Sequence, residues 1–391
     1  MQNRRRKIKI LFFSAVNLSN GRGTEKVLAH FIENAPLEEF EIYLMESNVL
    51  SINRLDNDLE NSIRNKTTKT FKFENVDEKF EFNKNNIFLF LLYEIALRPF
   101  ILYYERTIKQ RKILKEVNSY SIDIVYLGFN EYLPFLRGLK TKIIASNHNL
   151  HVKFQLFSKI LLKLTSIGLY YRGISGFHYF PSYKRFITNS ERIRNVCIPN
   201  GTTTEKFKPS GIVKTRLQIL FVGNLEKEKG INHYLSIFYS LQNENIDFHV
   251  VGAGPLENVV RNESYKYDNL FYHGVVTERK LVDLYSESDI FLYPTRKDTY
   301  ALVVLDALSS GLYVITSTLL EGVYDDFQKL KYLEYNDFND LNLIANRIID
   351  INKNKELLRK MKSDIHEYTS ANYDWKIISR TFYNYINSLV D

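Results

Sequence analysis

Cysteine is almost missing from the 391-residue chain, which holds one, Cys197. A lone thiol closes no intramolecular disulfide, so a disulfide-stapled secreted scaffold is excluded and a reducing, cytoplasmic compartment is expected. Cys197 reads as a small buried hydrophobe. No Cys/His group has zinc-ligand spacing, so no metal is expected. Long hydrophobic runs are equally scarce. Ile87–Tyr104 alone approaches the ~20 residues that cross a bilayer, and it contains Glu94, Arg98 and Pro99. Two charges at roughly 2.5–3.5 kcal/mol each disfavour a spanning helix and leave a buried or surface-lying one. Internal repeats and low-complexity tracts are absent as well, which excludes solenoid and disordered classes.

What is present describes an ordinary globular chain. Hydrophobic residues make up 45% and charged residues 25%. At about 150 residues per domain the length fits two domains or one large one. Lys and Arg exceed Asp and Glu by 53 to 45, a net charge of +8 that favours anionic partners without choosing among them. Tyr and Phe, 27 of each, make core and surface rich in rings.

Short apolar runs alternate with helix-like stretches throughout, the pattern of parallel sheets with crossover helices. The class is α/β. Candidate strands are Ile8–Ala15, Ile42–Glu46, Ile122–Gly128, Lys142–Ser146 and Arg194–Pro199, then Leu217–Gly223, Asp247–Gly252, Asn269–Gly274, Asp289–Pro294 and Leu312–Thr316. The basic start Met1–Lys9 therefore leads into a buried strand and not a signal peptide, its apolar run being too short. Turn-rich Pro199–Gly211 separates two doubly wound series, with a linker near 200–215. Residues 47–86, rich in Asn, Lys, Asp and Glu, read as a mobile, partly helical insertion.

Ligands of open α/β sheets bind beyond the carboxyl ends of strands, so the loops after these runs carry the chemistry. Asn20–Lys26 brings glycines to a helix start, where backbone amides approach an anion. Gly223–Gly230 ends with Lys229 at another helix start. A lysine there opposes the macrodipole, and a bound diphosphate supplies a reason for it; a solvated charge cluster with Lys227 and Glu228 is the plainer reading. Gly252-Ala-Gly254 lacks the third glycine of a dinucleotide fingerprint, so no NAD site is expected. Asp289–Gly311 reads as strand, loop and glycine-terminated helix, with Asp298 at the helix mouth and Asp306 inside. Amides around Ala301–Val304 suit phosphates, Asp306 a ribose diol and Asp298 a sugar hydroxyl. The plainer alternatives are an N-terminal cap for Asp298 and a surface carboxylate for Asp306.

These segments, in this order, resemble glycosyltransferase family 4. Gly21–Lys26 is similar to its glycine-glycine-x-Glu loop, Asn147-His148-Asn149 to its His loop and Ile198–Pro209 to its hinge signature. Gly223–Gly230 resembles its Glu-Lys-Gly motif, Phe248–Leu256 its glycine-rich strand end and Asp298–Gly311 its pair of acidic residues. The resemblance implies a GT-B fold, two doubly wound parallel-sheet (Rossmann-like) domains facing each other across a cleft. Residues 1–207 would form the acceptor domain, 208–371 the nucleotide-sugar domain and 372–391 a helix returning to the first, with Trp375 as a packing residue.

It also implies metal-independent transfer of a hexose-type sugar, with retained configuration, from a UDP- or GDP-sugar to a glycan or lipid-linked acceptor. His148, Lys229 and Asp298 would be catalytic. Gly23, Asn224, Lys229, Val275, Val276, Tyr300, Ala301, Leu302, Val303 and Asp306 would line the donor site. The chain departs from the family pattern at Asp298 and Asp306, which replace glutamates, at Asn224, which replaces a phosphate-binding arginine, and at Arg22, Tyr300 and Ala301, which replace glycines.

Other classes remain to be weighed. Asp56-Asn-Asp58 matches the Asp-x-Asp metal motif, but its flanks read as solvated helix. A non-catalytic sugar-nucleotide-binding or glycan-binding subunit is the alternative reading. No basic helix has groove-reading side chains, so nucleic acid is not expected as a partner. Val152–Arg172 and Ile87–Tyr104, the latter followed by Arg106, Lys109, Arg111 and Lys112, suggest a peripheral contact with anionic membrane at the cytoplasmic face.

Overall fold

The computed structural model describes residues 6–14, 17–20, 23–47, 55–73, 111–128, 136, 139, 141–146, 160, 163–164, 167 and 174–390. The segments containing His148, Arg22, Ile87–Tyr104 and most of Val152–Arg172 lie outside the described residues. The chain divides into two units: Met1–Ile198 with Ser379–Asp391, and Pro199–Ile378.

Among the described residues the first unit is built on seven parallel strands: β1 (Ile8–Phe13), β2 (Phe40–Ser47), β3 (Thr67–Phe73), β4 (Ile124–Leu127), β5 (Lys142–Ser146), β6 (Ile174–Tyr179) and β7 (Arg194–Cys197). Their order is β3-β2-β1-β4-β5-β6-β7. Ile10 through Phe13 on the central β1 are fully buried, as expected for a strand covered on both faces. Leu11, Phe13, Tyr43, Met45, Val125 and Phe177 pack together in one core cluster. Elsewhere Phe31, Tyr126 and Phe382 form a second aromatic group, with Phe31 stacked on Phe382 at 4.1 Å and Tyr126 edge-on to it at 5.0 Å. Such pairs add about 0.5–1.5 kcal/mol each beyond burial, so they fasten the last helix, Trp375–Val390, to this unit through Phe382.

The expected insertion at 47–86 is ordered over 57–73. Asn57–Lys66 is a helix capped by Asp56, whose Oδ1 accepts from the Asp58 and Leu59 amides, and the capping role accounts for the Asp-x-Asp pattern. Thr67–Phe73 then adds β3 at the sheet edge beside β2. Its signal is the threonines with alternating Phe71 and Phe73, both buried. Strand β6, and Leu333–Asn336 in the second unit, were also not expected; β6 contains Gly176 and Leu333–Asn336 carries Glu334 and Asn336, so neither stands out as an apolar run.

His178 on β6 is fully buried. Its Nε2 lies 2.9 Å from the Ile198 carbonyl, which only accepts, so Nε2 carries the proton and Nδ1 accepts from the Tyr126 hydroxyl at 2.7 Å. Burial pushes the His178 pKa down to about 4. The unfolded chain, with histidine near 6.5, therefore binds more protons between those values, and stability falls as the pH drops through that window. The expected loss from this residue is about 3 kcal/mol by pH 4. His249, pushed to about 3 by burial and by His273, acts in the same direction. Urea unfolding midpoints at pH 7 and pH 4.5 check this, and a midpoint that stays level would refute it.

The second unit has six parallel strands: β8 (Leu217–Val222), β9 (Ile246–Val251), β10 (Leu270–Gly274), β11 (Ile290–Tyr293), β12 (Tyr313–Ser317) and β13 (Leu333–Asn336). The order β10-β9-β8-β11-β12-β13 reverses direction between β8 and β11. A ligand crevice belongs at that reversal, beyond the carboxyl ends of these two strands. The loops there are 223–230 and 294–301.

Candidate functional site

Three glycines let the loops of the second unit close upon one another. Gly252 has φ +132°, and a Cβ there would stand 2.0 Å from the Gly223 carbonyl oxygen. A Cβ on Gly254 would meet Leu225 backbone atoms at 2.8 Å. The Gly-Ala-Gly turn thus serves backbone contact: Leu225 N–H donates to Ala253 O and Leu256 N–H to Leu225 O. Gly230, at φ +82°, would set a Cβ 1.8 Å from Pro294 O. Nothing larger than hydrogen fits between the two loops at the sheet reversal.

That approach assembles the first charged pair. Arg296 N–H donates to Glu228 O at 2.8 Å and the Thr295 hydroxyl to the same oxygen at 3.3 Å, docking the loop after β11 on the Lys227–Lys229 turn. Lys229 Nζ then lies 2.7 Å from Asp298 Oδ2, which also accepts from the Tyr293 hydroxyl at 2.9 Å. Asp298 Oδ1 accepts from Thr299 N–H. The Lys229 and Asp298 side chains are 24% and 14% exposed, so the pair is half-sheltered and still open to a solute. Burial and then Asp298 hold the Tyr293 hydroxyl well above the usual phenol range, which keeps it a donor.

Asp298 is not a helix cap. The helix is Leu302–Ser309, its N-cap is Ala301, and no side chain caps it. Its entry is fixed instead by tyrosine hydroxyls bound to backbone carbonyls: Tyr324 to Ala301 at 2.8 Å, Tyr285 to Val303 at 3.3 Å and Tyr300 to Asn200 at 3.3 Å. Asp306 sits one turn into this helix, half-buried, with Oδ1 accepting from the Thr202 hydroxyl at 2.7 Å. It is therefore held within the unit and is not a solvated surface carboxylate.

The expected residues distribute as follows. Lys229 and Asp298 are in contact, and Tyr300, Ala301, Leu302, Val303 and Asp306 form the segment that follows. Asn224 is exposed in the loop after β8. Val275 and Val276 follow β10 at the same end of the sheet, Val275 being 79% exposed. Gly23 opens the helix Gly23–Glu33 of the first unit, with open space around it. Trp375 is buried against Gly201, where a Cβ would stand 2.8 Å from its ring. Tyr285, Tyr293, Tyr324 and Thr202 escaped the sequence reading. The high tyrosine count was the available sign, but it does not say which hydroxyls point at backbone.

A lysine, a half-sheltered carboxylate and an uncapped helix start at one sheet reversal suit a phosphate-bearing ligand with hydroxyls to either side. Residues 202–367 match the family model described as glycosyl transferases group 1. Among curated proteins, an uncharacterized 41.2 kDa protein in the cps region of Klebsiella pneumoniae is 25% identical over 171 residues, 41% of this chain and 45% of its own length. The phosphatidylinositol N-acetylglucosaminyltransferase GPI3 subunit of Saccharomyces cerevisiae is 26% identical over 206 residues, 49% of this chain and 45% of its own. The chain thus spans under half the length of these relatives. Among solved structures, sucrose-phosphate synthase from Thermosynechococcus elongatus aligns with a TM-score of 0.71 at 14% identity, over 98% of this chain and 99% of that one. HepE from Anabaena, solved with UDP and glucose, aligns with a TM-score of 0.66 at 14% identity, over 97% and 100%. At that identity the likeness shows the fold, that of GT-B glycosyltransferases.

Proposed function

We propose that this protein is a retaining glycosyltransferase of family 4 that moves a hexose-type sugar from a UDP- or GDP-sugar to a glycan or lipid-linked acceptor. The observation that carries this reading is the Lys229–Asp298 pair beside the uncapped start of helix Leu302–Ser309, at the strand reversal. Lys229 and the first amides of the helix neutralise the departing diphosphate, Asp306 accepts from the ribose and Asp298 from the transferred sugar. By the family resemblance, His148 would serve the sugar or acceptor, Gly23 the phosphate, and Val275 or Val276 the base. The acceptor attacks from the face the diphosphate leaves, so no protein nucleophile is needed and the work is positioning and charge neutralisation. A metal is not required for that work, so activity withstands EDTA. The solved structure of HepE with UDP-glucose supports a nucleotide-sugar donor.

The acceptor reading rests on the basic amphipathic segments and places the enzyme at the cytoplasmic membrane face, in cell-surface glycan assembly. No helix among the described residues is long and apolar enough to cross a membrane. A non-catalytic donor-binding subunit is the second reading. It is favoured by the three donors Asp298 already accepts from, Lys229, Tyr293 and Thr299, which leave it little capacity for a sugar hydroxyl.

A thermal-shift screen of UDP-, GDP- and ADP-sugars tests donor binding. At 100 times Kd a donor stabilises by about 2.7 kcal/mol, so the responding unit should melt roughly 5–10 °C higher. A flat response to all three sinks the donor reading. Binding without hydrolysis or transfer selects the non-catalytic subunit.

A further inference from the structure

Asp306 is an expected donor residue whose carboxylate is held by a hydroxyl from a distant segment. Its partner, Thr202, is buried and held by backbone on both sides: Thr202 N–H donates to Tyr373 O at 2.8 Å, and Trp375 N–H donates to Thr202 O at 3.2 Å. The two strands of chain meet there as an isolated parallel bridge between Thr202 and Asp374. Asp374 Oδ2 further accepts from the Thr204 hydroxyl and, at 3.3 Å, from the Thr204 amide. Gly201 allows Trp375 to lie directly on the same backbone. These contacts fix the backbone at Thr202, and from that place its hydroxyl donates to Asp306 Oδ1.

The Thr202 hydroxyl restrains the rotation of the half-buried Asp306 carboxylate about χ1 and χ2. With Oδ1 pinned, the carboxylate plane is set before any ligand arrives, and preorganisation of this kind lowers the ordering cost of binding. The neighbouring Asn200 adds a second polar group on the same segment, its Oδ1 buried with no partner among the described residues and its carbonyl accepting from Tyr300.

We infer that Thr202 is a positioning residue that aims the Asp306 carboxylate at the ribose diol of a nucleoside diphosphate, making ribose recognition depend on the 199–204 and 373–375 segments. The inference rests on the donor reading above and names how that site selects ribonucleotides.

Titrations of the full chain with UDP, GDP and ADP, each beside its 2′,3′-dideoxy form, test it. For the diphosphate that binds the wild type, the dideoxy form is expected to bind at least tenfold more weakly. Thr202→Val, which keeps the shape and removes the hydroxyl, should weaken the ribonucleotide about tenfold and leave the dideoxy form within twofold. Thr202→Ser should stay within threefold of wild type for both. Asp306→Asn separates the two levels of the argument. If it weakens the ribonucleotide selectively while Thr202→Val does not, the positioning role is wrong and the donor reading stands. Equal losses for both nucleotide forms in Thr202→Val mean a structural role only and overturn the inference. If no diphosphate binds the wild type, the donor reading falls and takes this inference with it; if Asp306→Asn leaves the ribose preference intact, the inference falls and donor binding stands.

Discussion

Replacing Lys229 with alanine is expected to lower kcat/KM for sugar transfer by about 10²–10³-fold, the usual effect of removing a preorganised group that meets developing charge. The ammonium reaches the site because Gly230 lets its turn close on Pro294, and Asp298 with Tyr293 sets its direction. Folding should hardly respond. A partly exposed ion pair contributes only about 0–1 kcal/mol, and the Tyr293 hydroxyl still donates to Asp298 once the lysine is gone. Steady-state kinetics beside a melting curve check both halves. A loss below threefold would remove Lys229 from the mechanism, and a drop of many degrees in melting temperature would recast it as structural.

The second large effect is on stability. Asp289, 3% exposed, accepts from Arg359 Nε at 3.3 Å, lies 3.2 Å from Lys362 Nζ, and takes the Gln218 amide at 3.0 Å. Arg359 and Lys362 side chains are themselves only 8% and 13% exposed. Burial already lowers the Lys362 pKa, and Asp289 is the main influence opposing that shift. In Asp289→Ala the sheltered Lys362 loses its carboxylate partner and Arg359 keeps only the exposed Glu356, and removing one partner of a buried pair costs about 3–5 kcal/mol. Urea unfolding should show the transition of the second unit moving to lower denaturant while that of the first is unchanged. A loss under about 1 kcal/mol would mean that water reaches the cluster and screens it.

Asp289 also illustrates what can be read along a chain. As the first residue of an apolar run it marks a strand start, and β11 does begin at Ile290. Nothing nearby reveals Arg359 and Lys362, some seventy residues later. The same holds for the site. Lys229 and Asp298 stand out by local rules, a cation where a helix begins and a carboxylate in a loop after a strand. Their mutual contact does not, because it depends on the glycine-mediated closure of two loops. Within the stretch 47–86 the helix was legible, but β3 was missed for a related reason: an edge strand buries few residues and keeps lysines such as Lys69 and Lys72, so its composition looks like a surface loop.

Strand by strand, then, periodicity and turn residues alone determined the α/β class, the two parallel series and the loops where a ligand belongs, since these follow from neighbours within a few positions. Pairing decided the rest. Which hydroxyl holds which carboxylate, that Asp298 faces Lys229 and not a helix amide, and that Thr202 takes Asp306 all join residues 69 to 104 positions apart. Local preference carries no record of such distances; they are set only when the sheet order brings the strand ends together and the buried polar atoms must find partners there.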